Sequence, residues 1–271
     1  MAARKQLSWQ DRLRFRGHRG GVIAMHRSMA RYVLSPADMV TAVLMVLLMS
    51  LIWLLLVPEV CNLWVRMMDF GIQSLPMHAQ LHITEHHIAS FLNFRVPFPS
   101  MDPVLPDAPT WRITAAITLA IFVATFFLPA MLIPVTYLLR GILFVQATAL
   151  LYFAVIPAEF PHTPDSYLEG LLASGLALIS ILPLLFGLTF FIFQFSMLQK
   201  IFLTALTMAH LVLFLPLQIL LQGLILQKTV LFMPLLYIVF GMPLDILVII
   251  AFYAWGMTWT FRALEARARA R

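Results

Sequence analysis

The stretch Ile201–Thr260 constrains this chain more than any other. Residues 201–227 read IFLTALTMAHLVLFLPLQILLQGLILQ, and after Lys228 residues 229–260 read TVLFMPLLYIVFGMPLDILVIIAFYAWGMTWT. Each half carries the roughly 20 apolar residues that a helix rising about 1.5 Å per residue needs to cross a bilayer. A turn at Gln227 and Lys228 predicts an antiparallel membrane hairpin. His210 lies seventeen residues before Gln227 and Asp245 seventeen after Lys228. Two straight helices would place both groups at one depth, about 26 Å from the turn. An ionisable residue inside a membrane span marks a candidate functional site, because an isolated charge in hydrocarbon is costly.

The rest of the chain is solvated by lipid as well. It is 62% hydrophobic and 11% charged, with a mean hydropathy of +0.92, whereas soluble domains carry about 25% charged residues. No soluble fold of 271 residues covers so much apolar surface. The one cysteine, Cys61, excludes an intramolecular disulfide and any multi-cysteine metal site. Basic residues gather at the two ends and in short turns rather than along one face. That is a topology signal and not a nucleic-acid footprint.

Residues 1–34 form a basic segment: Arg4, Lys5, Arg12, Arg14, Arg16, Arg19, Arg27 and Arg31 stand against one acid, Asp11. Such a segment suits an anionic cytoplasmic membrane surface. It lacks the short basic region and small-residue exit of a cleavable signal peptide, and no small residues precede Cys61 as a lipidation site would want. The expected fold is an all-α polytopic membrane protein with six transmembrane helices. The spans are read at about 38–57, 113–139, 141–156, 168–198, 201–227 and 230–260. Ser35 as N-cap, Pro36 at the first helical position and Asp38 in the first turn open the first span, and Pro58 is expected to end it. Pro129 and Pro134 should kink the second span, and Arg140-Gly141 should turn it into the third. Residues 261–271 are a basic cytoplasmic tail.

The external segment 58–112 divides in two. Residues 60–94 have a helical rhythm and predict one or two helices lying at the interface. Residues 95–109, RVPFPSMDPVLPDAP, predict an extended loop. With both termini inside, fourteen of the eighteen basic residues fall on the cytoplasmic side, Arg140, Lys200 and the C-terminal arginines among them. Only Arg66, Arg95, Arg112 and Lys228 fall outside, together with most of the acids. This ledger points to a plasma membrane, of the bacterial inner-membrane kind.

Three groups of residues could carry chemistry. His210 and Asp245 could share a proton or hold a cation, helped by backbone carbonyls freed near Pro216 and Pro243. Equally, they could bond each other or a nearby glutamine such as Gln146 or Gln194 and merely fix packing. His78, His82 and His86 recur every four residues, one stripe of a helix, with Glu85 beside them. Two of them, with His162 and Asp165 from the next external loop, have the donor types of a zinc or copper site. The alternative is the polar face of an interfacial helix, in which case no cofactor is expected. Arg95 and Arg112 could hold an anion.

The sequence has no glycine-rich phosphate cradle, no nucleophile elbow and no P-loop lysine, and only His210 is placed to ligate haem inside the membrane. Three functions fit. The first is a non-catalytic subunit of an envelope complex, docking protein partners through its external segment. The second is a small transporter or channel component using the His210/Asp245 layer. The third is a membrane enzyme using the histidine stripe on a lipid-linked substrate.

Overall fold

The computed structural model describes residues 36–88, 92–157, 160–190 and 196–269. The basic segment 1–34, Ser35, Glu159, Gln194 and the last two residues lie outside them, as do the side chains of Asp38 and His86 and those of the tail from position 260. Six helical stretches among the described residues are long and apolar enough to cross a bilayer, and the chain is an integral membrane protein. In chain order the elements are α1 (Pro36–Ser74), β1 (Gln80–Ile88), β2 (Leu92–Ser100), α2 (Ala108–Ala124), α3 (Ile133–Val155), α4 (Pro164–Phe190), α5 (Met197–Leu226), α6 (Met233–Phe240) and α7 (Met242–Arg269).

The bundle is built on α1, α4 and α5, which pack against one another, with α7 beside α4 and α5. One face of α1 supplies Met45, Met49, Trp53, Val57, Cys61, Trp64 and Met68 to the core. They recur every three or four residues, the period of one helical stripe. Leucines between them, such as Leu44, Leu47, Leu48 and Leu51, stay exposed, as residues facing lipid do. This stripe runs through Pro58 without a break, so Pro58 does not end the first span. Packing along the whole stripe overrides the local cost of the proline, which is tolerated inside membrane helices. α1 is consequently 39 residues long.

Proline inside a helix frees the carbonyl four residues back, because it has no N–H to give it. In α5 that proline is Pro216 and the carbonyl belongs to Val212. The indole Nε1 of Trp64 donates to this oxygen at 2.7 Å. One side chain of α1 thereby repairs the backbone of α5 in the middle of the bundle. Higher in the contact with α4, Trp53 donates to Ser180 Oγ at 2.8 Å.

Three further expectations are corrected. Residues 60–94 do not form interfacial helices. After α1, the chain makes an antiparallel β-hairpin in which Gln80 pairs with Ser100 and Ile88 with Leu92. Residues four apart share a face on a strand as well as on a helix, so the histidine spacing does not discriminate between them. The aromatic and proline content of residues 92–100 suits a strand: Pro97 and Pro99 are two apart, so both missing N–H groups fall on one edge.

The turn between the second and third spans lies at 128–132, around Pro129, and not at Arg140-Gly141. Pro134 opens α3, the position where a proline loses nothing, and Arg140 lies inside that helix. α2 is capped by Asp107, whose side chain accepts from the Thr110 N–H at 3.1 Å. Hydrogen bonding from Thr110 holds the Asp107 carboxyl below its usual range.

The sixth span is broken rather than straight. A short 3-10 turn at Val230–Phe232 leads into α6, and Gly241 separates α6 from α7. A Cβ on Gly241 would collide with the Tyr237 carbonyl oxygen, so only glycine allows the chain to pass here.

The Trp64 bond makes a measurable prediction. Trp64→Phe should destabilise the bundle by about 1–3 kcal/mol, the cost of an unpaired buried acceptor, in reversible unfolding from detergent micelles. With Pro216→Ala in the same chain, α5 regains its own donor and the Trp64→Phe penalty should shrink.

Candidate functional site

Two places in the fold gather polar side chains. The first is the end of the bundle that carries the hairpin. β2 lies against α1, α4 and α5, and Val96, Pro97, Phe98 and Pro99 are all buried there. Asp165, in the first turn of α4, accepts from Ser100 Oγ at 2.6 Å and from the Met101 N–H at 2.9 Å. Gln227, the C-cap of α5, accepts from the His78 N–H and donates to the Pro76 carbonyl, both at 3.0 Å. The Val230 N–H donates to the Val104 carbonyl at 2.9 Å. The hairpin and its flanks are therefore held by three separate elements. β1 lies on the outside of this seat, and His82, Ile83 and Glu85 are exposed.

The residues singled out from sequence between the spans are divided among structural duties. Asp165 is the clamp just described. His82 packs its ring on Phe98 at 5.3 Å, and His162 meets Phe160 edge-on at 5.8 Å. His78 contributes its backbone N–H to Gln227, and His86 pairs with Phe94 in the strand register. Among the described residues, no three histidine, cysteine or acidic side chains come together as a metal group. Arg95 bonds Glu85, its cross-strand neighbour, at 3.2 Å. Arg112 lies apart from it, lining a shallow cleft with Trp111 and Phe153.

The second polar place surrounds the break in the sixth span. The last carbonyls of a helix have no partner within it, and α6 ends inside the bundle. Gln222 on α5 donates to the Phe240 carbonyl at 2.8 Å. Its own carbonyl oxygen accepts a short bond from the Tyr167 hydroxyl of α4. One turn away on α5, Gln218 Nε2 donates to Asp245 Oδ1 at 3.0 Å. Asp245 lies in the first turn of α7, where the helix dipole favours a negative group. Asp245 and Gln218 are 1% and 2% exposed. Asp245 Oδ2 and Gln218 Oε1 are nevertheless without a hydrogen-bond partner. Gln146 on α3 is 3% exposed and has neither amide atom paired.

Asp245 is thus joined to Gln218 and not to His210. His210 is two turns farther along α5, stacked on Phe214 at 5.3 Å and edge-on to Phe252 at 5.2 Å. The matching depths inferred from residue counts assume a straight sixth span, and the break at Gly241 removes that assumption. Sequence reading also passed over Gln218, Gln222 and Tyr167. The two glutamines were visible as a pair four residues apart in an otherwise apolar run, one face of one helix.

Comparison with protein-family models, with characterised protein sequences and with solved structures finds no match.

The clamp at Asp165 predicts the rigidity of the hairpin. Asp165→Ala removes two acceptors at once, and backbone amides across Val96–Met101 should exchange about tenfold faster. Hydrogen-exchange mass spectrometry checks this, with the middle of α4 and α5 unchanged as the control.

Proposed function

We propose that this chain is a non-catalytic integral subunit of a cell-envelope protein complex, seated in a bacterial inner membrane with both termini cytoplasmic. The bundle anchors, and the hairpin end docks a protein partner. The positive-inside distribution of basic residues supports the orientation. The seating of the hairpin supports the role. A two-stranded ribbon is marginally stable by itself, yet here three helices and the Asp165 clamp fix β2, and Gln227 holds the chain just before β1. What that arrangement leaves outward is β1, which has no second strand partner among the described residues. A free strand edge held on a rigid support suits an extended partner segment that adds as a third strand.

A photo-crosslinking residue at Ile83, on β1, should yield a discrete protein adduct in native membranes. The same residue at Leu55, which faces lipid, should not. Equal yields from both positions, with the chain purifying alone, would remove the docking reading.

One observation favours a second reading, a transporter or channel component. The unpaired oxygens of Asp245 and Gln218 lie at a discontinuity in a membrane helix, and discontinuous helices with buried carboxylates build ion sites in transporters. Under this reading Asp245→Asn abolishes proton or sodium flux in proteoliposomes. Flux that is absent in the unaltered chain, or the same in Asp245→Asn, disposes of it.

A further inference from the structure

α2 and α3 form a pair at the margin of the bundle, and the space between them is not filled. A cavity of about 550 Å³ opens there, within the size range of small-molecule sites. Its walls are apolar, with Leu119 and Phe122 from α2 facing Leu143 and Phe144 from α3. Ala115 and Ala147, short side chains on the two walls, leave the room. Leu119 and Phe144 are themselves largely exposed, so the groove is continuous with the lipid-facing surface.

Arg140 closes one end of this groove. It stands seven residues into α3, about 10 Å from the helix start, and reaches back toward the turn. Its Nε donates to Thr125 Oγ1 at 3.0 Å, and its guanidinium lies 4.4 Å over the Phe126 ring. These contacts fix the group at the end of α2, where a long basic side chain reaches headgroup level. They do not neutralise it. Among the described residues, the ion pair present is Arg95 with Glu85, and no carboxylate faces Arg140. A guanidinium carries five N–H donors, and the Thr125 bond uses one. The remaining fork matches two oxygens of a phosphate.

We propose that this groove binds one anionic phospholipid, with an acyl chain between α2 and α3 and the phosphate on Arg140. Charge complementarity selects the occupant: a cation without an acid partner closes an apolar channel open to lipid. A basic pocket between membrane helices is a recurrent way of holding an anionic headgroup.

The test uses the full chain, stripped of lipid in detergent and titrated with phosphatidylglycerol or phosphatidylcholine of identical acyl chains, followed by native mass spectrometry. The unaltered chain should bind the anionic lipid at least about tenfold more tightly. Arg140→Gln should erase the difference between the two lipids, and Ala147→Phe, which fills the groove, should weaken both. Inorganic phosphate at the same concentration should displace neither.

Equal binding of the two lipids by the unaltered chain overturns the proposal, as does a headgroup preference that survives Arg140→Gln. Competition by inorganic phosphate assigns the site to a free anion instead. A dimer that Ala147→Phe disrupts assigns the groove to a second copy. If Arg140→Gln does not fold, Arg140→Lys and Ala147→Phe decide: lysine should keep a headgroup preference that the filled groove loses.

Discussion

Within a bilayer, a backbone carbonyl without a donor has no water to turn to, and most of the notable contacts in this protein answer that constraint. Prolines and a glycine interrupt its spans, and each interruption leaves an oxygen to be satisfied. Trp64 reaches from α1 to the carbonyl that Pro216 frees. Gln222 reaches from α5 to the carbonyl at the end of α6. These donors are directional bonds set into an apolar interface, where helix packing in lipid otherwise rests on close contact alone. They fix which turn of one helix lies beside which turn of the next.

The hairpin end follows a related logic. The last turn of α5 and the first turn of α4 offer unpaired backbone groups, and side chains there are well placed to bond the neighbouring chain. Asp165 and Gln227 do so, and the groups they hold belong to the ribbon's two flanks. Prolines 97 and 99 lie in the buried strand, so the strand seated on the bundle has two fewer backbone donors to satisfy. The outer strand carries exposed His82 and Glu85, and Glu85 pairs with Arg95 where the inner strand leaves its seat. Polarity is thus sorted across a ribbon only two strands wide.

The number of long apolar helices was legible because long apolar runs have one reading in a membrane protein. The central turn at Gln227 was legible for the same reason. Pro58 misled because its cost is local, while the Met45-to-Met68 stripe that outweighs it is distributed over the helix. The hairpin was hidden by a coincidence of geometry: His78, His82 and His86 lie on one side of a helix or of a strand alike. Asp245 was given the wrong partner, His210 in place of Gln218, because counting residues from a turn assumes an unbroken rod. Gly241, between Phe240 and the Met-Pro that follows, was the visible warning. Arg140 was assigned to a turn on the strength of Arg-Gly, although Pro129 and Pro134 mark the turn more strongly.

α1 has a mechanical consequence through its length. At 39 residues it measures about 58 Å, nearly twice the hydrocarbon thickness of about 30 Å. Its last residue, Ser74, is separated from the ribbon by only the short turn 75–79. Because the helix is continuous through Pro58, a displacement of its first turn is carried along the rod, like the throw of a lever, toward the strand seat at the other end.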